Sequence, residues 1–422
     1  PPHNLSPAGA ASASMLRAGK AASSAASAAD LAEGRDFAVF RRHPGGLEVL
    51  STSESGPTAP MAASETSLEE LLAALCGDGA EVVGGAPLRT RVLLLGEVHD
   101  DAVAHRLQLR VLKHCLAACR SQGRRLVLSL EMFESDVQRV LDEYVVERAI
   151  REEDMMQDAR PWANYAQDYR PLVEFCRENG VRVVAANAPR RYVSLVARSG
   201  SAALSGLRSR SDAGGKDLPT LPLPPASASY RQKFIETIAS QMAPPAAGGG
   251  DSGECPFVGF RSRDVREAKP EMLEAQCLWD HAMARSVACA LQPKPGEDPS
   301  GPGPLVLHIC GAFHCAHGLG IPEALPFYTA GSSPSTQVNT ADALPWLPMD
   351  DAMPRAVGGA CSSSETVGPK ESPPGVVSVV CWPAAVGATL AAVRSGQSLH
   401  SLGTMGEWVV ITEETWKEPG AS

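Results

Sequence analysis

Four short segments place polar side chains directly after solid apolar runs. Val92–Leu95 leads into Gly96-Glu97-Val98-His99-Asp100-Asp101, and Leu126–Leu130 leads into Glu131-Met132-Phe133-Glu134. Val181–Ala185 leads into Ala186-Asn187-Ala188-Pro189-Arg190, and Leu305–Ile309 into Cys310-Gly311-Ala312-Phe313-His314. Such runs read as strands buried on both faces, and polar groups at their ends are costly unless solvated or used. In a parallel arrangement all four ends share one edge of one sheet, where open α/β folds leave a crevice for ligands. Glu97, His99, Glu131, Asn187 and His314 are therefore expected to converge on one site.

Two chemistries suit that set. In the first, Glu97, His99, Glu131 and His314 hold zinc or another divalent ion, and a leftover carboxylate serves as general base of a hydrolase. The spacing matches no standard zinc signature. In the second, the edge holds haem, with a His or Tyr on iron and basic residues for the propionates. Trp162, Tyr165 and Tyr169 fall at i, i+3 and i+7, one face of a helix read as starting at Pro161. Each residue also has a plainer reading. His99 and Asp100 would cap the next helix, and Glu131 would pair with Arg190 or Arg191. Asn187 would make a turn, His314 would sit solvated in a loop, and the aromatic stripe would be core.

The elements that must position these residues alternate. Helices are expected over Ser67–Leu75 with Ser67 as N-cap, Ala102–Arg120, Asp136–Val146, Pro161–Glu178, Tyr230–Gln241 and Glu271–Leu291. Later strands are expected at Val376–Val380 and Trp408–Ile411, an Ala-rich helix from about Ala384, and an early strand at Phe37–Phe40. Alternating β and α with solid apolar strands predicts a mainly parallel central sheet flanked by helices. Residues 199–228, 243–256, 293–303 and 349–374 are rich in Gly, Pro, Ser or Ala and read as long disordered insertions within one domain of residues 66–417. Residues 1–65 read as a low-complexity N-terminal segment.

Composition narrows the partners. The chain has 422 residues and a net charge of −10, which argues against nucleic acid and anionic membrane surfaces as general partners. Its 11 cysteines include no C-x-x-C and read as buried reduced thiols. Residues 372–393 carry no charge, but Pro373, Pro374, Gly375, Pro383 and Gly387 interrupt them, so no transmembrane segment is expected. Residues 1–29 hold 11 Ala and 6 Ser with Arg17, Lys20 and no acid, the composition of an organelle transit peptide or of a low-complexity tail. A chloroplast or other organelle is the expected location, and the cytoplasm the alternative.

Taken in order, these blocks resemble the ChaN-like haem-binding proteins of the TIKI/TraB/erythromycin-esterase superfamily. They are Leu94-Leu95-Gly96-Glu97-Val98-His99-Asp100 with His105 and Gln108; Leu130-Glu131-Met132-Phe133 with Gln138; Trp162, Tyr165, Tyr169 and Pro171; and Ala186-Asn187-Ala188-Pro189-Arg190. Gln276-Cys277-Leu278-Trp279-Asp280 with Met283-Ala284 follows, then Gly311-Ala312-Phe313-His314 with Gly318-Leu319-Gly320-Ile321-Pro322. The resemblance implies an α/β fold with haem as ligand and iron as its metal, with Tyr165, Tyr169, His99, His314, Asn187 and Arg190 as cofactor-binding candidates. It also implies that haem can be shared by a homodimer, with a tyrosine on iron. The expected role is haem carriage, buffering or iron uptake. No lipobox cysteine stands near the start, so a bacterial surface anchor is not expected, whereas similar domains occur in chloroplast proteins. The hydrolase branches of the superfamily use paired G-x-x-H motifs and a Glu. Here these correspond to Gly96/His99, Gly311/His314 and Glu131, so a metal-dependent hydrolase is the alternative. Cys255-Pro256 resembles a haem-regulatory Cys-Pro motif and makes a third reading, a haem-sensing domain.

Overall fold

A computed structural model describes residues 37–42, 63–76, 82–83, 86–87, 90–205, 218–242, 269–294, 296–298, 301–329, 373, 375–383 and 405–412. Strands β1 (Phe37–Arg42) and β2 (Ala63–Thr66) come first, and β3 (Val82–Val83) pairs only with β4 (Ala86–Pro87). β5 (Val92–Glu97), β6 (Leu126–Glu134), β7 (Arg182–Asn187), β8 (Leu305–Gly311), β9 (Val376–Pro383) and β10 (Trp408–Thr412) follow. The main sheet runs β2-β1-β10-β9-β5-β8-β6-β7. From β10 to β7 every pairing is parallel, and β1 and β2 extend the β10 edge in antiparallel fashion.

The helices are α1 (Leu68–Cys76), α2 (Ala102–Ser121), α3 (Glu152–Ala159), α4 (Arg170–Asn179), α5 (Arg190–Ser199), α6 (Ala228–Met242), α7 (Pro270–Ala290) and α8 (Ile321–Thr329). Alternation along the buried strands sorts the core into two layers. Leu93, Leu95, Leu128, Leu130, Leu307 and Ile309 pack under α1, α2 and α4. Val92, Leu94, Val127, Val306 and Cys310 pack under α7 and α8. Full burial of each such leucine or valine is worth about 1.5–3 kcal/mol relative to exposure, which fixes the strands rigidly beneath their polar ends.

Helix starts follow the chemistry of their first residues. Ser67 Oγ accepts from Glu70 N at 3.1 Å and Glu70 Oε2 accepts from Ser67 N at 3.4 Å, a capping box at the expected place. At α2 the cap is Asp101 rather than His99 or Asp100. Its Oδ1 accepts from Val103 N and Ala104 N, both at 3.0 Å, and its Oδ2 accepts from Thr412 Oγ1 at 2.5 Å. Asp101→Ala therefore removes a cap and a tie to β10. Urea unfolding is expected to show a loss of about 1–2 kcal/mol, and a loss under 0.5 kcal/mol would contradict this role.

Three expectations need correction. No helix begins at Pro161: Arg160 closes α3 in a left-handed conformation (φ 50°), and Tyr165–Tyr169 form a π-turn before α4. Pro171 lies in the first turn of α4, where a missing N–H is tolerated, and the Arg170 N–H bonds Tyr165 O, the i to i−5 bond of the π-turn. Asp136–Val146 is not one α-helix but a 3₁₀ turn, the single turn Gln138–Leu141 and a π-turn Asp142–Val146. The segment 199–228 is not wholly loop-like, because Leu204 and Leu218 are buried against α5 and α7. The helix expected from Ala384, the start of the chain and Cys255-Pro256 lie outside the described residues. Among the described residues no helix is long and apolar enough to cross a membrane. All nine described cysteines are unpaired, and only Cys289 is exposed.

Candidate functional site

The carboxyl ends of β5, β6 and β8 bring Glu97, Glu131 and Gly311 side by side, because β5 and β6 both pair with β8 in parallel register. Two hydrogen-bonded clusters meet there.

The first is built on Glu97, which is fully buried at the end of β5. Its Oε1 accepts from His99 Nδ1 at 3.0 Å and from the Tyr169 hydroxyl. Its Oε2 accepts from Gln108 Nε2 and lies 3.4 Å from His105 Nδ1. α2 supplies Gln108 and His105 because these positions lie one turn apart on its buried face. His105 Nδ1 lies 3.2 Å from Gln108 Oε1, and its Nε2 donates to His99 O at 3.0 Å. Both ring nitrogens of His105 thus face acceptors, which favours the imidazolium. Burial pushes its pKa down, but Glu97 and Asp168 prevail and raise it. Burial likewise drives the Glu97 carboxyl up, and His105, His99 and Tyr169 more than offset it, so it lies below its usual range.

The second cluster is built on His314, in the 3₁₀ turn after β8. Its Nδ1 donates to Asp280 Oδ1 at 2.6 Å, and its Nε2 lies 3.5 Å from Glu131 Oε1. Asp280 is held from behind by the Tyr230 hydroxyl, and Glu131 Oε2 accepts from Gly311 N at 2.7 Å. Burial opposes charge on His314, but Glu131 and Asp280 raise its pKa to about 10. Burial opposes charge on Glu131 too, yet His314, His99 and the Gly311 N–H lower its pKa to about 2. Lys233 of α6 pins the same turn by donating to Phe313 O at 2.6 Å and Ala316 O at 2.8 Å. Gly320 closes it at φ 75°, where a Cβ would lie 2.5 Å from His314 O and 3.1 Å from Asp280 Oδ1.

His99 joins the clusters. A Cβ on Gly311 would lie 3.1 Å from both Cε1 and Nε2 of His99, and 3.6 Å from His314 Cδ2. Trp162 meets the His99 ring edge-on at 4.7 Å, and Asn164 Nδ2 donates to His99 O at 3.0 Å. The His99 side chain is 27% exposed, whereas His105, His314, Tyr165 and Tyr169 are all buried.

The structure thus brings Glu97, His99, Glu131, His314 and Tyr169 together. Tyr165 lies apart, 1% exposed, against Phe133, with a buried hydroxyl that has no hydrogen-bond partner among the described residues. Asn187 is buried at the end of β7, where its Oδ1 accepts from its own neighbour Ala188 N at 2.9 Å. Arg190 is exposed and bonds Glu134, not Glu131, with Nε to Oε1 at 2.5 Å, and Arg191 pairs with Asp136. The pairing of Glu131 with an arginine is therefore wrong: its partner is His314. The two G-x-x-H motifs do face one another, with both His314 nitrogens directed at carboxylates and His99 bonded to Glu97 through Nδ1. Among the described residues no group of three or more His, Cys, Asp or Glu is set to hold a metal ion.

Three residues of the site were not singled out from the sequence for any role. Asp280 lies in the Trp279-Asp280 block, so its position was visible although its contact was not. Tyr230 and Lys233 carry no local signal, since only the packing of α6 brings them to the turn.

The family described as "Haem-binding uptake, Tiki superfamily, ChaN" matches residues 87–325. This chain belongs to that ChaN family. The family is a haem-binding one, and its matched segment holds both clusters whole, while β9, β10 and the β1–β2 edge lie outside it. The chain is 27% identical over 237 residues to Protein RETICULATA-RELATED 5, chloroplastic, of Arabidopsis thaliana, covering 55% of this chain and 28% of that protein. It thus spans under a third of the length of that relative. A solved structure described as cofacial haem binding to ChaN of Campylobacter jejuni aligns over 91% of this chain and 100% of its own, at 14% identity and a TM-score of 0.47. A Bacillus cereus protein aligns over 82% and 92%, at 11% identity and a TM-score of 0.36.

Proposed function

We propose that this ChaN-family chain binds haem at the carboxyl edge of its sheet, with His99 facing the iron, and that it holds or carries the haem. The observation that carries the reading is the state of His99. Its Nδ1 is bonded to Glu97, its Nε2 edge lies against Gly311, and it is the reachable imidazole of the two clusters. A carboxylate behind an imidazole orients the ring and strengthens it as a donor to a metal.

The surroundings suit a flat, largely apolar ligand with two carboxylates. Trp162 flanks His99. Trp382, 39% exposed, stands at the carboxyl end of β9, the neighbour of β5. At the end of β6, Arg160, Arg190 and Arg191 surround Glu134 and Asp136. Three guanidinium groups meet two carboxylates there, so the patch keeps positive charge for propionates. Bound haem would supply an iron centre for ligand or electron chemistry, and the chain's own residues orient His99 and cover the haem edge. In this reading Tyr165 and Tyr169 act as core and as a Glu97 donor, and Asn187 closes the β7 turn. The printed name of the Arabidopsis relative and the Ala/Ser-rich start favour a plastid location.

Hemin titration and elemental analysis on one preparation test the proposal. The expected result is a saturable Soret band with no stoichiometric divalent metal. Bound zinc or a similar ion at one per chain, with no Soret change, would overturn it in favour of the hydrolase. Sedimentation of the chain with and without hemin reports whether two copies share the haem. Gly311→Ala gives a sharper check, since φ at Gly311 is −55° and alanine is tolerated by the backbone. Its methyl would lie 3.1 Å from the His99 ring, closer than ordinary contact, and pushes the ring from its place, so hemin affinity is expected to fall at least fivefold with the melting temperature changed by only a few degrees. Unchanged affinity would place the haem elsewhere.

A further inference from the structure

We propose that Cys76 and Cys115 form a reversible oxidation site, which a small peroxide converts to a disulfide linking α1 to α2. Cys76 is the last residue of α1, and its Sγ lies 3.5 Å from Cys115 Sγ in the middle of α2. A disulfide needs a sulfur separation near 2.05 Å, so closure asks for an approach of roughly 1.5 Å. Side-chain rotation at Cys76 and Cys115 is the movement this requires. The end of α1 is already held in place, because Gln122 Nε2 donates to Cys76 O at 2.8 Å.

The two thiols are not equivalent. Cys76 is 7% exposed and Cys115 is fully buried, so a small oxidant meets Cys76 first. The hydrogen bond with Cys115 and the charge of Arg124 lower the Cys76 thiol below its usual range against the effect of burial. The same contact and burial raise Cys115. Cys119, one turn further along α2, is pushed up to about 11 by burial. The geometry thus supplies one thiolate nucleophile with one resolving thiol beside it.

The steps balance. The Cys76 thiolate attacks one peroxide oxygen, the O–O bond breaks, and the leaving hydroxide takes a proton to become water. Cys76 is then a sulfenic acid. Cys115 sulfur attacks Cys76 sulfur, the S–O bond breaks, and the departing hydroxide leaves with the Cys115 proton as a second water. Two thiols are oxidised and one peroxide is reduced. A dithiol reverses the change by exchange. Cys76 lies before the segment that matches the ChaN family and Cys115 lies within it, so the link would tie the amino-terminal elements of this chain to the family domain.

The test uses the full chain in its native state. Hydrogen peroxide is added, the protein is denatured and alkylated, and peptides are mapped. The expected result is a linked Cys76–Cys115 peptide with two fewer alkylated thiols, restored by dithiothreitol. In Cys115→Ala the link is absent and a 1,3-dione probe captures the Cys76 sulfenic acid. Should that variant not fold, the wild-type map decides alone. Cys76 and Cys115 both alkylated after exposed Cys289 has been oxidised, or a link from Cys76 to Cys119, would overturn the proposal. No outcome depends on haem, so the haem reading stands or falls separately.

Discussion

His314→Ala is expected to destabilise the fold by about 3–5 kcal/mol, because it strips the shared counter-charge from two buried carboxylates. Glu131 and Asp280 both direct an oxygen at the imidazole. Removing the ring leaves Asp280 with Tyr230, and Glu131 with one backbone N–H and the more distant charge of His99, too little for two charges out of water. Adding Asp280→Asn to the variant should recover part of the loss. The pH dependence identifies the interaction. The pKa of His314 is raised to about 10, so its contribution is full below the ordinary histidine range and fades as pH rises through about 10. That of Glu131 is lowered to about 2, so its contribution is full above the ordinary carboxylate range and fades as pH falls toward about 2. The stability difference between wild type and His314→Gln, from urea unfolding, should therefore be largest between roughly pH 4.5 and 6.5 and shrink on either side. A difference flat from pH 5 to 10 would show that His314 acts by packing alone.

Glu97→Gln should weaken hemin binding by roughly 10–100-fold, the usual cost of losing the group that orients a metal-binding histidine. The amide keeps the shape of the carboxylate but has one acceptor oxygen in place of two, so it can accept from Tyr169 and His99 on one side or from Gln108 on the other, not from both sides. It cannot balance the charge of His105, and it aligns His99 Nδ1–H less strongly. The expected signature is a lower hemin affinity with secondary structure intact by circular dichroism. Wild-type affinity in this variant would mean that the carboxylate behind His99 has no part in ligand binding.

The parallel sheet was legible because Val92–Leu95, Leu126–Leu130, Val181–Ala185 and Leu305–Ile309 are apolar on both faces, a pattern that only a covered sheet explains. Their polar ends identified one edge for the same reason, and Glu97, His99, Glu131 and His314 do meet there. What those side chains bond to was not legible. A histidine beside a carboxylate reads alike as metal ligand or as ion-pair partner, and only the approach of Asp280 from α7 and Tyr230 from α6 separates the two for His314. The aromatic trio does not lie on one α-helical face because the chain breaks from the α-helical repeat at the Tyr165–Tyr169 π-turn, and both tyrosines are buried, as the plainer reading of the stripe as core expects. Periodicity counted from Pro161 contains no information about that break.

The absorption spectrum of ferric haem bound to wild type, His99→Ala and Tyr165→Phe, recorded side by side, tests the central claim. The Soret band is expected to move or vanish in His99→Ala and to stay unchanged in Tyr165→Phe. A band that shifts in Tyr165→Phe while His99→Ala matches wild type would contradict it and return the iron to the phenol.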